Sequence, residues 1–295
     1  MRNRCRSHSV RHSAVVTGSP LSTNPSTHST PTLRVVAFAN QKGGVGKTTS
    51  AVNTAVVLAS RGVRTLLLDL DPQGNTTSSL GIEKNDLDGT MYDVLVELMS
   101  ISAAMLHDVR PGLDVIPTTS DLAGAEIELV NEPNRERRLA QALHTVRYDY
   151  DIALIDCPPS LGLLTLNGLT AADSVVIPIQ CEFLALEGVT QLIQTIDLTR
   201  KHLNPRLDLL GVLMTMFDAR TRLSSHVVDE VRRYFPDHLF DAVVPRSVRL
   251  AEAPSYGQAI TEYDPSSRGG SAYEAFADEL MARLGLINTT GEMRV

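Results

Sequence analysis

The chain has 295 residues, 43% of them hydrophobic and 21% charged, with a formal net charge of −7 and 4% aromatic residues. This length holds one large α/β domain with an ample core, or at most two modest domains. The longest apolar runs are strand-sized and end in Asp or Pro, which excludes a helical membrane span and makes a soluble, cytoplasmic protein the expectation.

The charge is unevenly spread. Residues 1–34 carry Arg2, Arg4, Arg6, Arg11 and Arg34 and no acid, so a +5 segment precedes a remainder of −12. The same stretch is crowded with Ser, Thr, His and Pro and has no hydrophobic periodicity, so residues 1–32 are expected to form a disordered basic extension. Ala14-Val15-Val16 is too short for the apolar core of a secretory signal, while Arg and Ser content alone fits a transit peptide. A dispensable tail, or an overextended start, is the preferred reading; a nucleic-acid-binding arm is the other. Cys5, Cys157 and Cys181 are odd in number and widely spaced, which fits a reducing compartment rather than a disulfide or metal framework. Cys157 and Cys181 read as small core hydrophobes.

From Leu33 onward, short β-branched runs alternate with amphipathic segments. The pattern predicts strands over 33–40, 65–71, 113–117, 150–156, 174–179, 209–216 and 239–244. Several are nearly continuous in apolar residues, as strands buried on both faces of a parallel sheet should be. Helices are predicted over 48–60, 122–130, 137–146, 185–203, 225–235 and 271–284. The fold class is therefore α/β, a doubly wound, mainly parallel sheet with helices on both faces and a ligand at its carboxyl edge. No internal repeat or Gly/Ser-rich linker divides residues 33–286, and residues 287–295 read as a flexible tail.

Between the first strand and the first helix lies Lys42-Gly43-Gly44-Val45-Gly46-Lys47-Thr48-Thr49, a phosphate-binding loop with an extra lysine near its start. Its glycines let consecutive N–H groups converge on phosphate oxygens. Lys47 adds a compact charge for the β/γ-phosphates, and the Thr48 hydroxyl suits Mg²⁺. The following helix points its positive end at the phosphates. Two acidic elements end strands on the same edge: Asp69-Leu70-Asp71-Pro72-Gln73-Gly74-Asn75, and Asp156 before Cys157-Pro158-Pro159-Ser160. A carboxylate there can hold Mg²⁺ through water, and another can orient or deprotonate an attacking water. Asp71 and Asp156 are assigned such roles, whereas Asp69 is as well explained as a cap on the next turn.

These residues resemble the ParA/Soj-type partition ATPases of the deviant Walker A class. The resemblance rests on five ordered stretches: residues 40–49, 69–75, 155–162 and 215–221, and Val244-Pro245-Arg246-Ser247-Val248-Arg249-Leu250 with Glu252-Ala253-Pro254-Ser255. It covers nearly everything from Leu33 to Leu284. It implies an ATP- and Mg²⁺-dependent ATPase in which Lys42 reaches the nucleotide of a partner subunit, Asp71 positions water and Asp156 is the Walker B acid. Met216 and Pro245 are candidates to flank the adenine, though both serve equally as core or turn residues. The resemblance also implies an ATP-dependent homodimer, non-specific double-stranded DNA contacts from Arg220 and Arg249, a nucleoid location and a ParB-like partner. Without it, those arginines and Arg222, Arg246 and Arg268 read as solvated charges or ion-pair partners.

Two other readings stay open. A membrane-associated spatial regulator similar to MinD would end in an amphipathic membrane helix, and residues 288–295 carry no such stripe. A transcriptional repressor with an incidental ATPase is the other. A redox protein similar to nitrogenase iron protein is rejected, because Cys157 lies inside the Asp156 motif and Cys181 ends a different strand.

Overall fold

The computed structural model describes residues 33–286 apart from 184 and 187. The expected basic arm, the tail after residue 286 and Cys5 lie outside the described residues.

Eight strands form one sheet in the order β3-β4-β2-β5-β1-β6-β7-β8. They are β1 (Arg34–Phe38), β2 (Thr65–Asp69), β3 (Leu106–Arg110), β4 (Leu113–Ile116), β5 (Ile152–Asp156), β6 (Ser174–Gln180), β7 (Asp208–Phe217) and β8 (Leu239–Pro245). All pairings are parallel except β3 with β4. The helices are α1 (Lys47–Ser60), α2 (Asn75–Ser79), α3 (Met91–Leu95), α4 (Leu122–Glu128), α5 (Arg138–Thr145), α6 (Leu163–Ala171), α7 (Val189–His202), α8 (Arg222–Tyr234), α9 (Val248–Glu252), α10 (Ile260–Tyr263) and α11 (Arg268–Leu284).

Strand residues alternate between two cores, as the pleat requires. Val35, Ala37, Leu66, Leu68, Ala153 and Ile155 face the layer that holds α3 to α8. Val36, Phe38, Leu67, Ile152 and Leu154 face α1 and α11. The predicted strands are all present, trimmed or extended by a residue or two. The strand β3 was not anticipated, because Leu-His-Asp-Val-Arg carries neither alternation nor an apolar run; it is a short, charged, solvent-facing edge of the kind that resists pairing with other chains. The helix α6 went unread for the opposite reason: it is apolar on nearly every side and shows no stripe.

Caps correct several boundaries. Helix α7 starts at Val189 rather than 185, because Gly188 stands before it in a left-handed conformation with φ 81°. The helices α8 and α11 start three residues earlier than predicted, where the Thr221 and Ser267 side chains accept from the Ser224 and Gly270 amides. The stretch predicted over 122–130 is α4 followed by a single 3₁₀ turn at Leu129–Asn131.

Candidate functional site

The central strand β1 lies between β5 and β6, so the loop leaving its carboxyl end emerges where the sheet's winding reverses. Asn40 pins the start of that loop: its Nδ2 donates to the Pro178 carbonyl of β6 at 2.7 Å, and its Oδ1 accepts from the Lys42 amide at 3.0 Å. Gly44 and Gly46 take left-handed φ values of 74° and 89°, which β-carbon-bearing residues rarely adopt. The Val45 carbonyl between them accepts from Thr215 Oγ1 of β7 at 2.8 Å. Lys47 is buried and curls back so that Nζ donates to the Lys42 carbonyl at 3.3 Å. Burial lowers the pKa of its ammonium, and the carboxyl groups of Asp156 and Asp71 oppose that shift.

Asp156 ends β5 fully buried. Its Oδ2 accepts hydroxyl protons from Thr48 at 2.7 Å and Thr76 at 2.8 Å, while Oδ1 has no partner among the described residues. Burial pushes its pKa up to about 6 against the pull of those two hydroxyls and of Lys47. A buried carboxylate with an unmatched oxygen beside a threonine hydroxyl is a place where a cation lowers the energy. No cluster of three or more His, Cys, Asp or Glu residues suited to a metal exists among the described residues. The donor set here, one hydroxyl and one carboxylate beside a phosphate loop, is the sparse kind that Mg²⁺ completes with waters and phosphate oxygens.

Across from Asp156 in register, Asp69 ends β2, also fully buried. Its Oδ2 accepts from Thr77 N at 2.8 Å and Thr77 Oγ1 at 2.7 Å, and its Oδ1 accepts from Asp71 N at 3.3 Å. Burial first, and then the nearby Asp156, push its pKa up to about 8. Asp69 therefore works as a tie for the next turn. Asp71, also buried, accepts from Gln73 N at 3.0 Å.

The carboxyl ends of β7 and β8 flank the same edge. Met216 holds φ 53°, a left-handed conformation for a β-carbon-bearing residue, immediately after Thr215, which bonds the loop. Pro245 pairs with Phe217 in register.

Comparison with known proteins fixes the lineage. A family model described as an AAA domain matches residues 33–209. The sporulation initiation inhibitor protein Soj of Bacillus subtilis is 55% identical over 84% of this chain and 98% of its own. The chain belongs to the ParA/Soj family of partitioning ATPases. The chromosome partitioning protein ParA of Myxococcus xanthus is 53% identical over 85% of this chain and 88% of its own. Among solved structures, cobyrinic acid a,c-diamide synthase from Mycobacterium smegmatis with a bound ATP analogue and magnesium is 40% identical, covers 88% of this chain and 98% of its own, and superposes with a TM-score of 0.76.

For a ParA/Soj family member, the remaining residues of interest are surface charges. The Lys42 ammonium pairs with Glu182 of its own chain, and both side chains are partly exposed. Arg220, with an 87% exposed side chain, grips Asp218 through Nε at 2.9 Å and Nη2 at 2.7 Å, which holds Asp218 down at about 2. Arg249, in α9, donates to Glu252 at 3.1 Å and lies 6.0 Å from the Tyr263 ring centre. Both arginines follow the carboxyl ends of adjacent strands, β7 and β8, and those segments are joined where Arg246 N donates to the Phe217 carbonyl at 2.9 Å. No described helix is long and apolar enough to cross a membrane. Sequence reasoning missed Asn40, Thr76, Thr215 and Glu182 as partners of the site. Thr76 and Thr215 adjoin or open motifs already singled out, but nothing in a linear sequence pairs Lys42 with a residue 140 positions away.

Proposed function

We propose that the protein is a cytoplasmic, Mg²⁺-dependent ATPase that segregates DNA: it forms a sandwich homodimer on ATP, coats nucleoid DNA without sequence preference and is discharged by a ParB-like centromere-binding partner. The observation that carries the reading is the buried Asp156, with an oxygen unmatched among the described residues, set against Thr48 where the phosphate loop passes into α1. Identity above 50% to Soj and ParA proteins along most of the chain supports it.

In this reading, the backbone N–H groups of Gly43, Gly44, Val45 and Gly46, with Lys47, receive the phosphates of ATP, and Thr48 and Thr49 lie in the first turn of the helix whose positive end faces them. Thr48 and Asp156 are the residues that hold Mg²⁺. When bound, the cation neutralises charge on the phosphate oxygens. Asp71 orients the attacking water. Met216 and Pro245 border the adenine. Lys42 leaves Glu182 and reaches the nucleotide of the second subunit, where its charge stabilises both the sandwich and the phosphoryl group in transfer. Hydrolysis then removes the group that Lys42 bridges, and the dimer loosens. Arg220 and Arg249 contact DNA phosphates, and dimerisation doubles that patch on one rigid body, so DNA binding depends on ATP. The cargo is a chromosome or plasmid origin region.

The amide synthesis named for the mycobacterial structure has less support here, since that protein is 40% identical to this chain against 55% and 53% for the Soj and ParA proteins. The deciding experiment sizes the protein with and without ATP and then adds non-specific duplex DNA. A species that stays monomeric with ATP and Mg²⁺, or that ignores DNA when dimeric, refutes the proposal.

A further inference from the structure

Two consecutive threonines, Thr76 and Thr77, sit in the first turn of α2, and both are wholly buried. Each hands its hydroxyl proton to a carboxylate on a different strand. Thr77 donates to Asp69 of β2 at 2.7 Å and also accepts from the Thr118 amide at 3.0 Å, so its proton is committed to the β2–β4 side of the sheet. Among the described residues, the Thr76 hydroxyl has one partner, Asp156 Oδ2 at 2.8 Å, the oxygen that also takes the Thr48 proton.

We infer that Thr76 is a positioning residue for phosphoryl transfer, clamping the loop that carries Asp71 to Asp156. The inference rests on the ATPase reading and adds a residue to it. Asp156 holds the loop at both ends: the Leu70 amide donates to the Asp156 carbonyl at 3.0 Å, and Thr76 donates to its carboxylate. Asp71 lies between these anchors, in a turn closed by the Gly74 amide on the Asp71 carbonyl at 2.8 Å and by the Gln73 amide on Asp71 Oδ1 at 3.0 Å. Gly74 itself takes φ 62°, which lets the chain reverse tightly enough for Thr76 to reach back. The start of the loop is fixed by backbone; at the other end Thr77 ties α2 to Asp69 of β2, and the Thr76 hydroxyl is the side-chain bond that ties it to Asp156 of β5, so the register of Asp71 against Asp156 rests in part on Thr76.

The same bond settles how the Asp156 carboxylate is used. Two hydroxyl donors converge on Oδ2 and leave Oδ1 without a donor among the described residues. Removing the Thr76 hydroxyl leaves Thr48 as the carboxylate's one donor among those residues; the carboxylate is then freer to rotate, and the side-chain tie between α2 and β5 is lost. No proton moves through Thr76. Its effect passes through the two acids it holds in register, so its loss lowers turnover more than nucleotide affinity.

The test uses the full chain with Thr76→Val, which keeps shape and removes the hydroxyl, Thr76→Ser, which restores it, and Thr76→Ala in case the valine variant does not fold. Steady-state ATP hydrolysis in Mg²⁺ separates kcat from KM. Hydrogen exchange at the Gln73 and Gly74 amides of the nucleotide-free protein reports the Asp71 turn directly. We expect kcat to fall about 10- to 100-fold in Thr76→Val with KM within about threefold of the parent, and Thr76→Ser to recover to within about threefold. Exchange at both amides should quicken about tenfold in Thr76→Val and stay near the parent in Thr76→Ser. Parental turnover without the hydroxyl, a serine variant as impaired as valine, a loss confined to KM, or unchanged exchange each overturns the inference. Failure of the parent itself to hydrolyse ATP removes the ATPase reading instead, and the exchange comparison still decides whether Thr76 clamps the loop.

Discussion

The two ends of the working edge are built on different principles. Around β1, β2 and β5 the polar groups are buried and tied to one another: Asp69 and Asp156 are wholly enclosed, Lys47 is folded against its own loop, and Thr48, Thr76 and Thr77 are each committed to one carboxylate. Beyond β7 and β8 the charges are exposed, with Arg220 and Arg249 held by acids that water would serve nearly as well. Burial makes the first region intolerant of substitution, because removing any partner leaves an unsatisfied polar group in a poorly solvated place. Exposure makes the second tolerant, and under the proposed function its arginines would need only to let go of Asp218 or Glu252 to meet a phosphate. The proposal assigns chemistry to the first arrangement and sequence-blind adhesion to the second.

The most far-reaching effect expected is at Lys47, because every later step depends on bound ATP. Lys47→Ala removes the buried ammonium facing Asp156 and Asp71, and ATP affinity should fall at least about a hundredfold, since two charge-assisted hydrogen bonds to phosphate contribute roughly 3 kcal/mol or more. Calorimetric titration checks it, with circular dichroism to show that the fold survives; undiminished affinity in a folded variant breaks the assignment of the enclosed region. Asp71→Ala comes next. ATP binding and dimer formation should persist while turnover drops about 10²- to 10⁴-fold, the range for losing a positioned acid–base group. The variant should then accumulate as an ATP-bound dimer on sizing, and turnover that survives moves the water-handling role to another residue.

The same contrast explains what the sequence disclosed. Strands buried on both faces, such as β2 and β5, announce themselves as apolar runs, and glycines at left-handed positions leave a spacing that few other structures require. Hence the sheet, the phosphate loop and the acids at strand ends were legible. The edge strand β3, the enclosed α6 and the bond made by Thr76 were not, because a charged edge, a helix without an apolar stripe and a contact between residues 80 positions apart leave no periodic trace. The DNA role proposed for Arg220 and Arg249 rests on resemblance alone: an exposed arginine beside an acid has the same local sequence whether or not DNA ever meets it.

A smaller effect tests the exposed region. Arg220→Ala or Arg249→Ala should weaken the ATP-bound protein on any duplex by a similar factor and flatten the plot of log affinity against log salt by about 0.9 for each phosphate that is no longer neutralised. Titration of two unrelated duplexes at several salt concentrations measures both quantities. ATP affinity should not move. Parental DNA binding in both variants would remove the adhesive role from this face, and weaker binding to only one of the two duplexes would show base readout rather than phosphate recognition.

The smallest effect lies where the two regions meet. Lys42 begins in the phosphate loop yet spends its charge on Glu182 at the surface, so in the free chain the ion pair competes with any reach toward a second subunit. Both side chains are partly exposed, and pairs of that kind contribute about 0.2–1 kcal/mol, so releasing the lysine shifts an equilibrium by about fivefold at most. Glu182→Gln keeps the shape and removes the opposing charge. If the pair restrains Lys42, the ATP concentration that half-saturates dimer formation should fall by up to that factor. The advantage should shrink as salt screens the parental pair. Sizing or ultracentrifugation across an ATP series at two ionic strengths measures it. A weaker dimer in Glu182→Gln would instead mean that Glu182 serves the assembled sandwich, holding Lys42 at the angle from which it crosses. In that case the ion pair belongs with the enclosed, committed groups of the phosphate loop rather than with the exchangeable charges of the outer strands.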